Sequence, residues 1–399
     1  MTPQKIFGGA MKKEKLNYLE GLRGVSCMIV IFDHCVNEFM PSFRHMGSTG
    51  MVGAFKDIIA MSPLNIVYSG LTPVFIFFAL SGFVLSYKFF DTGDIKYVVN
   101  GALKRFPRLA IPVFGSMLFM YLLSIIASCF TGSGQLLPLS SVFTESLYKA
   151  FFVGGPLING PLWTMKTEFI GSMLVFSLLI ITHSNKYRLF TYLISMLYFL
   201  ESNMILFIFG VLLCDVYTTG YLKDRLFIKN KYMKLSLLLI SIYLVSYPTI
   251  RNHVEVVGIY KLLEIDALGD VKSIFRVWHV TGVFILFYCV INTKVLKSFF
   301  SRNTCLLLGK LSFSAYVLHY PIIIFMREIG LVGDRSVLSL FTMSAIVFIT
   351  TLSCSVPFEK YIDRFSVCVS SVISKSVMNA YSIGLEKIKN NSIESSARK

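Results

Sequence analysis

Residues 19–34 read LEGLRGVSCMIVIFDH, an apolar run with an arginine near its start and a histidine at its end. Both side chains, Arg23 and His34, are costly in the hydrocarbon core of a membrane, so each needs a partner or a function there. Eleven residues of α-helix make roughly three turns plus 20° and about 16 Å of rise. The stretch therefore predicts a membrane helix with these two groups on one face, one above the other.

The composition of the chain places this helix in a polytopic membrane protein. Of its 399 residues, 55% are hydrophobic and 15% are charged, whereas soluble domains carry about 25% charged residues. Repeated apolar runs of about twenty residues predict an all-α fold, a helical bundle with ten transmembrane helices. The predicted spans are about 18–40, 67–90, 108–130, 162–183, 187–200, 203–219, 233–250, 277–292, 304–326 and 336–358. The fifth and sixth are short enough to form a shallow hairpin instead of two full crossings.

Lysine and arginine predict the orientation. The net charge is +16, and 26 of the 38 basic residues lie in or beside the N-terminus, the even-numbered loops and the C-terminal tail, against 9 in the opposite loops. This bias places both termini in the cytoplasm and Arg23 at the cytoplasmic end of its helix. Because the basic residues are spread over short loops, the charge does not indicate nucleic-acid binding. We expect a cytoplasmic segment at 1–17, a transmembrane domain at 18–360, and a basic cytoplasmic tail at 361–399 that is partly a membrane-surface helix and partly disordered.

His34 is the first candidate for chemistry. A neutral imidazole can take a proton from a hydroxyl group, which makes the alcohol nucleophilic. Asp33 stands beside it and could orient the ring. The alternatives are ordinary: His34 could be a packing residue hydrogen-bonded to a neighbouring helix, and Arg23 could extend its charge to the membrane surface.

A basic cluster precedes the third predicted span. Lys104, Arg105 and Arg108 could clamp phosphate groups, because Pro107 restricts the backbone and a helix N-terminus adds partial positive charge. The alternative is a positive flank that only records orientation.

Two further groups lie near the opposite membrane surface. Trp163 is either an interfacial anchor or a substrate contact. Lys166 and Glu168 are ionisable residues within a span, which normally face the bundle interior or a watery cavity. His319 precedes Pro321 and could contact substrate or satisfy a carbonyl that the proline frees.

The eight cysteines show no metal-ligand spacing with histidine, so we predict no metal site.

Taken together, these motifs resemble the acyltransferase family 3 of integral membrane proteins, and they fall in the family's order from residue 19 to about 364. The matching stretches are Leu19 to Gly24 with His34, Phe77 to Phe83, Arg105 with Arg108, Pro161 to Trp163 with Glu168, Leu311 to Pro321, and Phe358 to Lys360. Two positions depart from the family pattern: Glu20 replaces an aspartate, and Tyr361 follows Lys360 where a proline is frequent.

The resemblance implies transfer of an acyl group, usually acetyl, from cytoplasmic acyl-CoA to a hydroxyl of a lipid-linked or surface polysaccharide such as lipopolysaccharide O-antigen. The expected setting is the inner membrane of a bacterium, and acetyl-CoA is the expected donor. We predict catalytic roles for His34 (the general base), Arg23, Asp33 and Glu168, donor phosphates at Lys104, Arg105 and Arg108, and acceptor contacts at Trp163, Lys166, His319 and Glu359.

Two other classes of protein share some of these features. A transporter or flippase for a lipid-linked sugar or small solute would also have intramembrane charges and proline-bent helices, but the chain shows no repeated halves. A glycan polymerase or ligase would have no obvious use for the cytoplasmic basic pair.

Overall fold

The computed structural model describes residues 16–44, 50–132, 136–219, 228–248, 256, 258–265 and 271–397, and the regular elements in these ranges are helical. The α-helices are α1 (Asn17–Phe39), α2 (Gly50–Ala60), α3 (Leu71–Thr92), α4 (Lys96–Thr131), α5 (Leu139–Phe143), α6 (Thr164–Thr182), α7 (Arg188–Tyr198), α8 (Met204–Thr218), α9 (Lys231–Val245), α10 (Val271–Asn292), α11 (Lys294–Phe300), α12 (Asn303–Glu328), α13 (Val337–Phe358) and α14 (Arg364–Ala397). Short 3₁₀ and π segments connect several of them, including a π-helix over Thr144–Val153 and a 3₁₀ turn over Gly160–Trp163.

The prediction of an all-α membrane bundle is confirmed, and each of the ten predicted spans overlaps one α-helix in the described residues. Within the described residues, six helical segments are long and apolar enough to cross a membrane. They are Leu71–Thr92, Lys96–Thr131, Gly160–Thr182, Ser273–Asn292, Asn303–Glu328 and Val337–Ile383. Helices α7, α8 and α9 have 11, 15 and 15 residues, about 16 to 22 Å at 1.5 Å per residue. They are shorter than a bilayer core of about 30 Å.

Helices α7 and α8 form the hairpin that their length and the short connection allow. Arg188 at the start of α7 donates to both carboxylate oxygens of Asp215 on α8, at 2.6 and 2.8 Å. The Asp215 side chain is buried. This bidentate pair joins the open end of the hairpin.

Helices α1 and α12 run parallel and in very close contact, which positions the residues of the candidate site. A Cβ atom on Gly24 would lie 2.4 Å from the backbone nitrogen of Gly309, so the backbones meet where neither residue has a side chain. Further along, Cys27 Sγ lies 3.2 Å from the carbonyl oxygen of Ser312. Small residues at such crossings are typical of packing between membrane helices.

The C-terminal tail is a long helix that packs against α4. A π segment, Glu359–Asp363, continues α13 directly into α14. The buried side chains of α14 include a stripe of small polar ones, Ser366, Ser370 and Ser374. The Ser374 hydroxyl donates to Asn100 Oδ1 of α4 at 2.7 Å. The structure describes this helix as far as Ala397.

Candidate functional site

A cavity of about 190 Å³ lies inside the bundle where α1, α3, α4, α6 and α12 meet. Helix α1 contributes Arg23, α4 contributes Arg105 and Arg108, and α6 contributes Glu168 to its wall. The other polar lining residues are Ser81, Thr164, Ser312 and Tyr316. The cavity therefore brings together four of the predicted site residues from three different helices.

Arg105 and Glu168 form a buried ion pair at the centre of this wall. Their side chains are only 15% and 13% exposed, respectively. The Glu168 carboxylate accepts hydrogen bonds from Arg105 Nη2 and from the Ser81 hydroxyl. Arg105 Nε donates to Ser172 Oγ at 2.7 Å. These contacts hold both ions in a fixed arrangement, and they explain how a charged pair persists within the span.

The other two arginines have carboxylate partners of their own. Arg23 lies 3.1 Å from Glu20, and this pair is partly exposed, with side-chain exposures of 33% and 49%. Arg108 is bound to the buried Asp363 of the tail. Each of the three arginines thus has one acidic partner, but Glu20 and Asp363 do not line the cavity.

The lining of the cavity consequently presents three guanidinium groups and one carboxylate to its interior. Arg23 and Arg108 lie close enough to Arg105 for like-charge repulsion between them. Guanidinium groups pair well with phosphate oxygens, because their N–H donors match the geometry of an oxyanion. The cavity wall is therefore suited to an anionic ligand, whereas the apolar side chains Phe77, Phe78 and Leu109 beside it suit an apolar one.

A pair of histidines lies further along α1 and α12. The rings of His34 and His319 are 5.1 Å apart between centroids, and the ring of Tyr320 lies 5.4 Å from that of His34. His319 is fully buried. One of its ring nitrogens, Nδ1, lies 3.2 Å from the Ala315 carbonyl oxygen, while Nε2 has no hydrogen-bond partner among the described residues.

Tyr316 connects the cavity to the histidine pair. It lines the cavity, and its ring centroid is 5.8 Å from that of His319, one turn further along α12. Its hydroxyl lies 3.0 Å from both Thr164 Oγ1 and the Pro161 carbonyl oxygen. Tyr316 and His319 therefore lead from the cavity that the three arginines line to His34.

The structure gives Asp33 partners that the sequence did not predict. Its carboxylate binds the guanidinium of Arg44 and accepts a hydrogen bond from the Gly70 backbone nitrogen at 3.1 Å. Asn37 also donates to it at 3.2 Å. Consecutive helical residues diverge by about 100°, so Asp33 faces the start of α3 while His34 faces α12. Through these contacts Asp33 joins α1 to Arg44 and to the start of α3.

The remaining predicted residues lie outside the cavity lining. Trp163 is 37% exposed at the start of α6, and Lys166 donates to the Val153 carbonyl oxygen at 2.9 Å. Lys104 is half-buried on α4.

Glu359 is buried and pairs with Arg364 at 3.1 Å and Lys310 at 3.8 Å, so it links the tail to α12.

Sequence reasoning missed three residues of this region. Ser81 and Tyr316 lie within the quoted family motifs, but nothing in their residue types marked them as partners of Glu168 and Thr164. Asp363 falls in the segment that the sequence assigns to the tail. Its position four residues after Glu359 was the available signal, because that spacing places two carboxylates near one helical face.

Comparison with known proteins identifies the family. The model of the acyltransferase family 3 domain matches residues 16–360, most of the chain. Neither the comparison with curated proteins nor that with solved structures gave a match. The matched region contains α1 to α13 and every residue of the cavity lining. The chain therefore belongs to the acyltransferase family 3 of integral membrane proteins.

Proposed function

We propose that this membrane acyltransferase moves an acyl group, most simply acetyl, from cytoplasmic acyl-CoA to a hydroxyl of a lipid-linked or surface polysaccharide such as lipopolysaccharide O-antigen. The observation that carries the proposal is the cavity in which Arg23, Arg105 and Arg108 converge and from which Tyr316 leads to the histidine pair. A donor with an anionic head and a long thin arm fits such a sequence of environments.

The donor's anionic end would interact with the arginines. Coenzyme A carries phosphate groups at one end and the thioester at the other, and charge-assisted hydrogen bonds from guanidinium groups are suited to the phosphates. Arg23 and Arg108 are the more exposed members of the set. Arg23 and His34 are eleven positions apart on one helix and are therefore separated by about 16 Å along the axis, which is of the order of the donor's arm.

The orientation supports a cytoplasmic donor. The bias of basic residues predicts that the start of α1 lies on the cytoplasmic side. Arg23, near that end of the helix, lines the cavity. The acceptor would approach from the other side, where Trp163 and Lys166 lie near the start of α6. The inner membrane of a bacterium is the setting that the family resemblance implies.

The chemical step assigned to His34 is general-base catalysis. The imidazole takes the proton of the acceptor hydroxyl as the oxygen attacks the thioester carbonyl carbon, and the carbon–sulfur bond then breaks. The proton passes to the departing thiolate, which gives an ester and free coenzyme A. His319 lies against His34 and would fix the position of its ring.

Acyl-CoA affinity tests the donor part of the proposal. We expect Arg108→Gln to weaken binding of acetyl-CoA to the purified protein by roughly 10- to 100-fold, because a charge-assisted hydrogen bond contributes about 1.5–3 kcal/mol. Arg302→Gln is the matched control, because Arg302 is exposed and packs on Phe299. Equal affinities of the two variants would contradict a donor site at the arginines.

The family assignment favours the acyltransferase over a transporter or flippase. The same purified protein separates the two, because an acyltransferase given acetyl-CoA and polysaccharide consumes the thioester. A transporter leaves the thioester intact and moves the sugar across a vesicle membrane instead.

A further inference from the structure

The tail beyond residue 360 contacts Arg108, which lines the cavity. The π segment Glu359–Asp363 interrupts an otherwise continuous α-helical run from Val337 to Ala397. A π turn takes an extra residue, and such turns occur frequently at functional sites. Here both carboxylates of the segment are buried, with residue exposures of 8% and 9%.

Asp363 holds Arg108 by several bonds at once. One carboxylate oxygen accepts from Arg108 Nη1, and the other lies 3.3 Å from Nη2. Arg108 Nη1 also donates to Ser366 Oγ at 2.6 Å, and the Ser366 hydroxyl donates to the Asp363 carbonyl oxygen at 2.6 Å. The guanidinium is therefore fixed end-on by Asp363 of the π segment and by Ser366 in the first turn of α14.

This arrangement leaves another part of the guanidinium for a ligand. The tail engages Nη1 and Nη2, whereas Nε of Arg108 has no partner among the described residues. The side chain is still 32% exposed, and it lines the cavity. A guanidinium that is already held in place loses less conformational freedom when it binds an oxyanion.

We propose that Asp363, with Ser366, is the positioning residue that orients Arg108 toward the donor phosphates, so that the tail is part of the donor site. The inference rests on the proposed function, because it takes Arg108 as a donor-binding residue. Asp363 lies outside the region that matches the family model, which ends at residue 360. The proposed positioning residue thus lies three residues beyond the matched region.

The opposite possibility is that Asp363 competes with the donor for Arg108. The two possibilities predict opposite signs for one substitution. If Asp363 positions Arg108, its loss weakens donor binding; if it competes, its loss strengthens binding because a negative charge disappears next to the site.

The chain supplies a matched control within the same helix. Ser374 is buried on α14 and donates to Asn100 of α4 at 2.7 Å. Ser374→Ala removes a contact between the tail and α4 two turns away from Arg108. A role of the tail in stability alone would make the Ser374 and Ser366 variants behave alike.

The test uses the full-length protein in detergent, with acetyl-CoA as the probe and KM, kcat and the thermal midpoint as readouts. We expect Asp363→Asn to raise the KM for acetyl-CoA roughly tenfold, which is the change in affinity expected from the loss of one charge-assisted hydrogen bond. The kcat should be nearly unchanged. Asp363→Glu should restore part of the loss, and Ser374→Ala should keep the wild-type KM. If Asp363→Asn does not accumulate, Ser366→Ala should show a smaller rise in KM of the same kind.

An unchanged or lower KM in Asp363→Asn overturns the inference. Arg108→Gln, measured in parallel, tells this failure from that of the proposed function. If Arg108→Gln weakens acetyl-CoA binding while Asp363→Asn does not, only the positioning role is wrong. If neither variant changes binding, the donor site at the arginines is wrong as well.

Discussion

The ring of His34 on α1 lies 5.1 Å from the ring of His319 on α12. The parallel packing of the two helices produces this relationship. Gly24 meets Gly309 near the start of α1, and the same alignment brings the histidines together further along. The contact joins the first and the penultimate of the predicted spans, and it joins the catalytic candidate to a fully buried neighbour.

His319 should matter for the rate because it fixes the position of the proposed base. We expect His319→Gln to lower kcat by roughly 10-fold or more, as expected when a general base is displaced. His279→Gln is the control, because His279 is also fully buried but stacks on Phe275 of its own helix. Steady-state rates of the two purified variants check the prediction; equal losses in both would show a general effect of burying a glutamine.

Glu168 should be needed for the stability of the bundle as well as for the cavity. Glu168→Gln removes the charge that balances the buried Arg105, and breaking a buried ion pair from one side costs about 3–5 kcal/mol. The exposed pair Arg23–Glu20 offers the comparison, since Glu20→Gln should cost less than about 1 kcal/mol. Thermal unfolding in detergent measures both. A smaller loss of stability for Glu168→Gln than for Glu20→Gln would contradict the burial of the Arg105–Glu168 pair.

Gly24 should tolerate no side chain. A Cβ atom there would lie 2.4 Å from the Gly309 nitrogen, so Gly24→Ala must push α1 away from α12 and should lower both the thermal midpoint and the activity. Gly115→Ala is the control, because its Cβ would meet only side-chain atoms of Ile362 and Phe358, at 3.0 Å and beyond. Similar thermal midpoints for the two variants would show that the helices separate without cost.

Asp33 and Arg44 should behave as one structural unit. We expect Asp33→Asn and Arg44→Gln each to destabilise the protein, and the double variant to lose much less than the sum, because each single change leaves a buried charge unpaired. A double-mutant cycle of thermal stability measures the coupling. Additive losses of stability would mean that Asp33 and Arg44 do not interact. They would favour instead the predicted role of Asp33 in orienting His34.

Much of the bundle could be predicted from the sequence because hydrophobic runs, basic loops and helical spacing act locally. The common face of Arg23 and His34 follows from the geometry of one helix, and the parallel course of α1 and α12 follows from counting the spans between them. The resemblance to the family motifs predicted which other stretches of the chain contribute to the site.

The partners of the charged residues could not be predicted, because they depend on contacts between distant segments. Arg105 was predicted to bind donor phosphates and Glu168 to have a catalytic role, yet the two residues form one ion pair. Asp33 forms an ion pair with Arg44, which lies in a segment that the sequence predicts to be a loop. Glu359 forms ion pairs with Lys310 and Arg364. A single sequence shows which charges are buried but not which of them meet.

Transfer of a labelled acetyl group in a single turnover tests the central claim most directly. The purified protein is mixed with acetyl-CoA labelled in the acetyl group and with surface polysaccharide from cells that lack the gene. We predict that the label moves to the polysaccharide, and that His34→Gln slows this transfer by about 100-fold or more while acetyl-CoA affinity stays near that of the wild type. Transfer at the wild-type rate by a folded His34→Gln protein would contradict the account.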